Sequence, residues 1–187
     1  LNKLIVDVKS YLEDFDPYDA SLTIEKFVEE LSTWYVRRSR RRFWKSEKDE
    51  DKNAAYTTLY VCLTMLIKIL APFIPFVTEE IYQNLVHSVD SQSPESVHHN
   101  EWPMSDEKAI NMEIMKDMNF TVKVCSLGRS ARSKAGIKLR HPLSTARVFA
   151  DKTLLKRIKR FEDIIIDELN VKNLSFITQR KEIIEYF

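Results

Sequence analysis

Trp34-Tyr35-Val36-Arg37-Arg38-Ser39-Arg40-Arg41-Arg42-Phe43-Trp44-Lys45 gathers six basic residues and four aromatics into twelve positions without a carboxylate, in a chain of 187 residues whose formal net charge is only +1. An apolar stripe enters it from upstream. Ile24, Phe27, Val28, Leu31 and Tyr35 recur at helical spacing, so the basic segment reads as the continuation of one amphipathic helix, which Asp19 or Ser21 is suited to cap. Two readings fit this composition. Lys and Arg attract phosphate while Trp, Tyr and Phe offer flat faces for stacking, which suits nucleic acid. Alternatively the arginines pair with the upstream acids Asp14, Asp16, Asp19, Glu25, Glu29 and Glu30 and form a structural, solvated helix face.

Geometry sorts the basic residues. If the helix stays regular at ~100° per residue, Arg38 and Arg42 fall on the apolar stripe and face the interior, where a guanidinium needs acidic partners. Arg37, Arg40, Arg41 and Trp44 gather on a separate arc, with Lys45 at its end, and this is the surface offered to RNA. Trp44 has a second reading, as packing against a neighbouring helix.

Only two glycines occur in the chain. Sheets need tight turns and long helices exclude glycine, so the fold is expected to be mainly helical. Leu4, Ile5, Val8, Tyr11, Leu12 and Phe15 mark a first amphipathic helix, ended by Asp14, Asp16 and Pro17. From Asn53 to Leu70 apolar residues cover nearly every side, as in a central core helix; the run is shorter than the ~20 residues that span a bilayer and contains Thr57, Thr58, Thr64 and Lys68. Pro72 and Pro75 break it, Thr78-Glu79-Glu80 opens another helix to about His87, and residues 88–103 form a polar loop. After the cap Ser105, a long helix carries Ile110, Ile114, Met118, Thr121, Val122 and Cys125 inward and runs to about Lys134, where Gly136 stops it. An extended run to Ala150, a helix through Leu169 and a strand around Val171–Thr178 complete a small mixed lobe.

This second part carries its own basic run, Lys123, Arg129, Arg132, Lys134, Lys138, Arg140 and Arg147, with no acid between Thr121 and Arg147. Arg129, Arg132, Lys134 and Lys138 are its candidate RNA contacts. Gly128 permits close approach of another backbone, a packed helix or RNA. The histidines show no metal-ligand spacing, so no zinc is expected. The pairs Glu79-Glu80 and Asp106-Glu107 suit helix starts, and no catalytic triad or phosphate-cradling glycine loop is discernible. Cys62 and Cys125 stand apart, as in a cytoplasmic protein. The sequence begins at Leu1 and carries no signal peptide, as expected of a piece of a longer polypeptide.

Four segments resemble a known family. Glu30 through Trp44 resembles the string that opens the anticodon-binding helical domain of isoleucyl-tRNA synthetases. Leu70-Ala71-Pro72-Phe73-Ile74-Pro75-Phe76-Val77-Thr78-Glu79-Glu80-Ile81-Tyr82 and Ser96-Val97-His98-His99-Asn100-Glu101-Trp102-Pro103 are similar to elements shared by the isoleucine, valine and leucine enzymes of class I. Gly128 through Leu143 resembles a string typical of the isoleucine enzymes. One departure is Thr33, where many relatives carry Asn.

The resemblance implies an antiparallel helical bundle over residues 1–135 with a small α/β lobe over 136–187. It implies a tRNA-binding, anticodon stem-loop-recognising part of an isoleucine-tRNA ligase, with tRNA for isoleucine and the catalytic domain of the same polypeptide as partners and neither membrane nor DNA. The HIGH-like and KMSKS-like motifs are absent, so ATP and Mg are expected in the parent's catalytic domain, with no cofactor and no catalysis here. The competing readings are a helical protein-interaction module with a basic face, and the equivalent domain of a valine or leucine enzyme.

Overall fold

The computed structural model describes residues 1–44 and 49–178. Contacts divide the chain into two compact units, Leu1–Ile110 and Asn111–Phe187, so the long helix expected to close the bundle at residue 135 instead groups with the strands that follow it.

The first unit opens with a helical hairpin, α1 (Asn2–Glu13) and α2 (Pro17–Glu30). The Asp16 carboxylate accepts the Asp19 N–H at 3.0 Å and Pro17 occupies the first helical position, so α2 starts earlier than Asp19 or Ser21 would set it. α1 ends in a Schellman motif: Asp16 N–H donates to Tyr11 C=O at 2.8 Å and Phe15 N–H to Leu12 C=O at 3.2 Å. That motif places Phe15 at φ 58°, a position glycine usually fills, and leaves the ring 93% exposed. Phe15 therefore lies outside the stripe assigned to it; Leu4, Ile5 and Val8 carry the burial with Ala20, Ile24, Leu66 and Ile69.

α3 (Arg37–Trp44) continues α2 through a π-helical turn at Leu31–Val36. α4 (Glu50–Leu70) is the one described helix long and apolar enough to cross a membrane. Its lower half, Leu66, Ile67 and Ile69, is buried in two apolar clusters. Its upper half leaves Tyr56, Tyr60 and Val61 exposed, so burial is not all-round as the sequence led us to expect. α5 (Pro75–Tyr82) begins at Pro75, and Thr78 sits inside it, fully buried, with its hydroxyl donating to Ile74 and Pro75 carbonyls. A second π-helical turn, Gln83–His87, follows.

Glu79 ties α5 to the downstream loop. Its carboxylate accepts from Gln83 Nε2 at 2.7 Å, Ser96 Oγ at 2.8 Å and Val97 N–H at 2.9 Å. The Gln83 bond first, then Ser96, Val97 and the charge of His98, hold Glu79 below the usual carboxylate range. A carboxyl depressed in the folded state contributes stability above its unfolded pKa, about 4.3, and loses it as pH falls through its folded pKa. Urea melts of wild type and Glu79→Gln should therefore differ most at neutral pH and converge as the buffer is taken below about pH 4. A constant difference across that range would mean that the carboxylate is not what the loop recognises.

The second unit begins with α6 (Met112–Lys134), capped by Asn111, whose side chain accepts the Ile114 N–H at 3.0 Å. Ser105 does not start it; Asp106 instead caps a separate short turn at Glu107–Ala109. β1 (Leu143–Phe149) and β2 (Val171–Ile177) pair in parallel, Leu143 against Val171 through Phe149 against Ile177, joined by α7 (Lys152–Ile158) and α8 (Glu162–Leu169). α6 packs on both crossover helices. A Cβ at Gly128 would lie 2.6 Å from Leu169 Cδ2, so the glycine is explained by close approach of α8, the helix-packing alternative.

Candidate nucleic-acid interface

The basic segment is positioned by the π turn. There the Arg37 N–H bonds to Ser32 C=O, five residues back, so the turn holds one residue more than an α-turn. Everything after it is re-phased by one position. Ser39, not Arg38, is the buried residue of α3, and Phe43 meets Tyr56 of α4 with ring centroids 5.0 Å apart. Tyr35 anchors the turn by donating its hydroxyl to Ala55 C=O at 3.0 Å.

Arg38 and Arg42 consequently sit at the flank of the packed face, half-buried. Arg42 bonds Asp51 at the start of α4, Nε to Oδ1 at 2.9 Å and Nη2 to the backbone carbonyl at 3.1 Å. The partner comes from downstream, not from the upstream acids, and the carboxylate holds the Arg42 guanidinium charged. Because both side chains remain solvated, the pair is worth ~0.2–1 kcal/mol rather than the cost of an orphaned interior charge.

Arg37, Arg40, Arg41 and Trp44 are all exposed and fall at positions i, i+3, i+4 and i+7, one stripe of α3. Trp44 is 82% exposed, so within its unit it does not serve as packing. Arg37 is oriented: its Nε donates to Thr33 C=O at 2.7 Å and its guanidinium lies 5.7 Å from the centroid of the Trp34 ring. Thr33 donates its own hydroxyl to Glu29 C=O at 2.7 Å, so the residue that departs from the common Asn bonds the helix backbone. Lys45 lies outside the described residues. The stripe is a row of three cations ending in an open indole, the combination that grips phosphates and stacks on an unpaired base.

The candidates of the second unit divide differently. Lys134 and Lys138 are exposed. Arg129 is committed to an ion pair with Glu168 of α8, whose side chain is 2% exposed against 35% for the arginine. Arg132 is buried, 6% exposed, and donates to the carbonyls of Lys138, Leu139 and His141. It therefore has no face to offer RNA, because the inward stripe through Thr121 and Cys125 extends one and two turns further to reach it. A third pair went unread: Asp117, buried on α6, accepts from Arg157 Nε at 2.5 Å with Arg160 Nη1 at 3.8 Å. Its signal was an acid one turn before Thr121, on the inward stripe. Among the described residues no group of three His, Cys, Asp or Glu gathers as metal ligands would.

Residues 1–148 match the profile of the family described as the anticodon-binding domain of tRNA ligase. The chain is similar to the isoleucine--tRNA ligase of Dehalococcoides mccartyi strain CBDB1, 51% identical over 178 residues that cover 93% of this chain and 17% of that protein. It is also similar to the enzyme of the same name from Clostridium tetani, 47% identical over 186 residues covering all of this chain and 18% of the relative. The chain thus spans about a sixth of the length of the curated relatives it matches. Its helical first unit, with a cationic aromatic stripe on α3, and the extent of the profile match agree: the chain belongs to the anticodon-binding domain family of tRNA ligases.

Proposed function

We propose that this chain is the tRNA-gripping part of an isoleucine-tRNA ligase, which holds the anticodon stem and loop while the remainder of the polypeptide, in the cytosol, joins isoleucine to the tRNA with ATP and Mg. No chemistry is assigned to the chain itself; its catalytic partner is the rest of that polypeptide, and its ligand is tRNA for isoleucine. The observation that carries the reading is the stripe Arg37, Arg40, Arg41 and Trp44, exposed together on one face of α3. Three guanidiniums there neutralise phosphates, and each phosphate neutralised releases counterions. Lys134 and Lys138 add charge in the second unit. Family membership supports tRNA rather than an acidic protein as the target of this charge, and the similarity to isoleucine--tRNA ligases supports isoleucine over valine or leucine.

The test is a set of tRNA titrations with Arg37→Ala, Arg41→Ala and Trp44→Ala beside Arg42→Ala. The two arginine variants should each flatten the salt dependence of log K by about one, and loss of the indole should remove ~1–3 kcal/mol of stacking. Arg42→Ala should bind nearly as wild type. Equal losses at all four positions would show that the stripe is not the contact surface.

A further inference from the structure

The C-terminal end of α6 is closed by its own Schellman motif. Ile137 N–H donates to Arg132 C=O at 2.9 Å and Gly136 N–H to Ser133 C=O at 3.1 Å, with Gly136 in the left-handed region at φ 66°. The chain then folds back. His141 N–H donates to Lys138 C=O at 3.0 Å, and the Asn170 side chain donates to Leu139 C=O at 2.9 Å.

Beneath this turn lies Arg132. A single nitrogen, Nη2, donates to Lys138 C=O at 2.8 Å, to Leu139 C=O at 3.4 Å and to His141 C=O. Nε and Nη1 are buried with no hydrogen-bond partner among the described residues. Burying a guanidinium so incompletely bonded is unfavourable, and the Schellman bonds already close the helix without it. What Arg132 adds is a fixed form for the turn and a positive charge under it. With the carbonyls of the turn bonded to Nη2, the side chains of Lys138 and Arg140 remain exposed, as does Lys134 at the end of α6.

Charge argues for the ligand. The carbonyls at a helix C-terminus carry roughly half a negative charge and repel anions. Arg132 offsets that field, and the Glu168 carboxylate is paired with Arg129. Lys138 also borders a concavity of about 380 Å³ at this place, whose other walls include Arg132, Ser133 and the apolar Ile137 and Leu139.

We propose that the turn Gly136–His141 is a loop that binds the phosphate backbone of RNA, with Lys138 and Arg140 as the contacting residues and Arg132 as a buried positioning residue that does not touch RNA. The proposal rests on the tRNA-binding reading above. Its test uses the whole chain, a tRNA, and affinity measured across a salt series. Lys138→Ala and Arg140→Ala replace exposed side chains and leave folding intact. Each should lower affinity about threefold to tenfold at low salt and reduce the salt slope by about one.

Arg132→Gln should lose as much as both together, and should add nothing further in the Lys138→Ala/Arg140→Ala background. Should Arg132→Gln fail to fold, the two surface variants decide alone. Wild-type slopes in both of them, in a chain that still binds tRNA through α3, would overturn the loop and leave the broader reading standing, whereas a wild-type chain that binds no tRNA overturns both. A further loss from Arg132→Gln in the double background would make Arg132 a direct contact and overturn its positioning role. Polyglutamate of matched charge competing as well as tRNA would assign the turn to an acidic protein and overturn the proposal.

Discussion

Arg129→Ala is expected to destabilise the second unit by about 3–5 kcal/mol, because it removes the ion pair of Glu168 while leaving that carboxylate in the interior. The arginine is a third exposed and the glutamate almost fully buried, so the two partners are not equivalent. An arginine released from the pair reaches water, whereas the glutamate stays buried with its charge no longer balanced by Arg129. Lys134→Ala, five residues further along α6 and exposed, should change stability by less than about 0.5 kcal/mol. Native-state hydrogen exchange of the α6 and α8 amides localises the effect to this unit. Matching protection in the two variants would mean that Arg129 is a surface cation and available to RNA after all.

The same asymmetry governs Asp117. Its side chain is 3% exposed while Arg157 and Arg160 are 31% and 49% exposed. Arg157→Ala therefore strands a buried carboxylate and should cost about 3 kcal/mol, at the low end for a broken buried pair since Arg160 is near enough to move in. Asp117→Ala should cost less, because both arginines can turn outward and hydrate. Replacing the pair together, Asp117→Leu with Arg157→Met, should recover most of the loss, as apolar substitutes for buried pairs often do. Chemical denaturation of the three variants checks the order. A larger loss for Asp117→Ala than for Arg157→Ala would show that the arginines, not the acid, carry the buried charge.

Much of this architecture was legible in the residues because local chemistry enforced it. Scarce glycine left long helices, Asp14, Asp16 and Pro17 marked the break after α1, and Gly136 stopped α6 where the left-handed turn requires it. The succession of strand, helix and strand after it became a parallel pair with a helical crossover. What stayed hidden depends on packing between distant segments. The wheel drawn through Arg38 and Arg42 assumed α geometry across Leu31–Val36, and the π turn moved the inner position to Ser39. A sign of it was present: two arginines on an otherwise apolar stripe, with Ser39 and Phe43 one residue beyond, is the pattern a single inserted residue resolves. Arg129 and Arg132 read as RNA contacts because their run lacks acids, yet the acid that pairs with Arg129 is Glu168, 39 residues away. No local pattern reveals such a partner. Extending the stripe of Thr121 and Cys125 to residue 132 would have placed Arg132 inside.

These corrections narrow the proposed RNA surface to side chains that remain exposed, Arg37, Arg40, Arg41 and Trp44 in one unit and Lys134, Lys138 and Arg140 in the other. The claim that these serve an anticodon-binding module is tested most directly by titrating the chain with two RNA hairpins of equal length, one carrying the anticodon stem and loop of an isoleucine tRNA and one carrying its acceptor stem. The account predicts tighter binding of the anticodon hairpin, falling steeply as salt rises in proportion to the phosphates neutralised. Equal affinity for the two hairpins, or tighter binding of the acceptor stem, would contradict it.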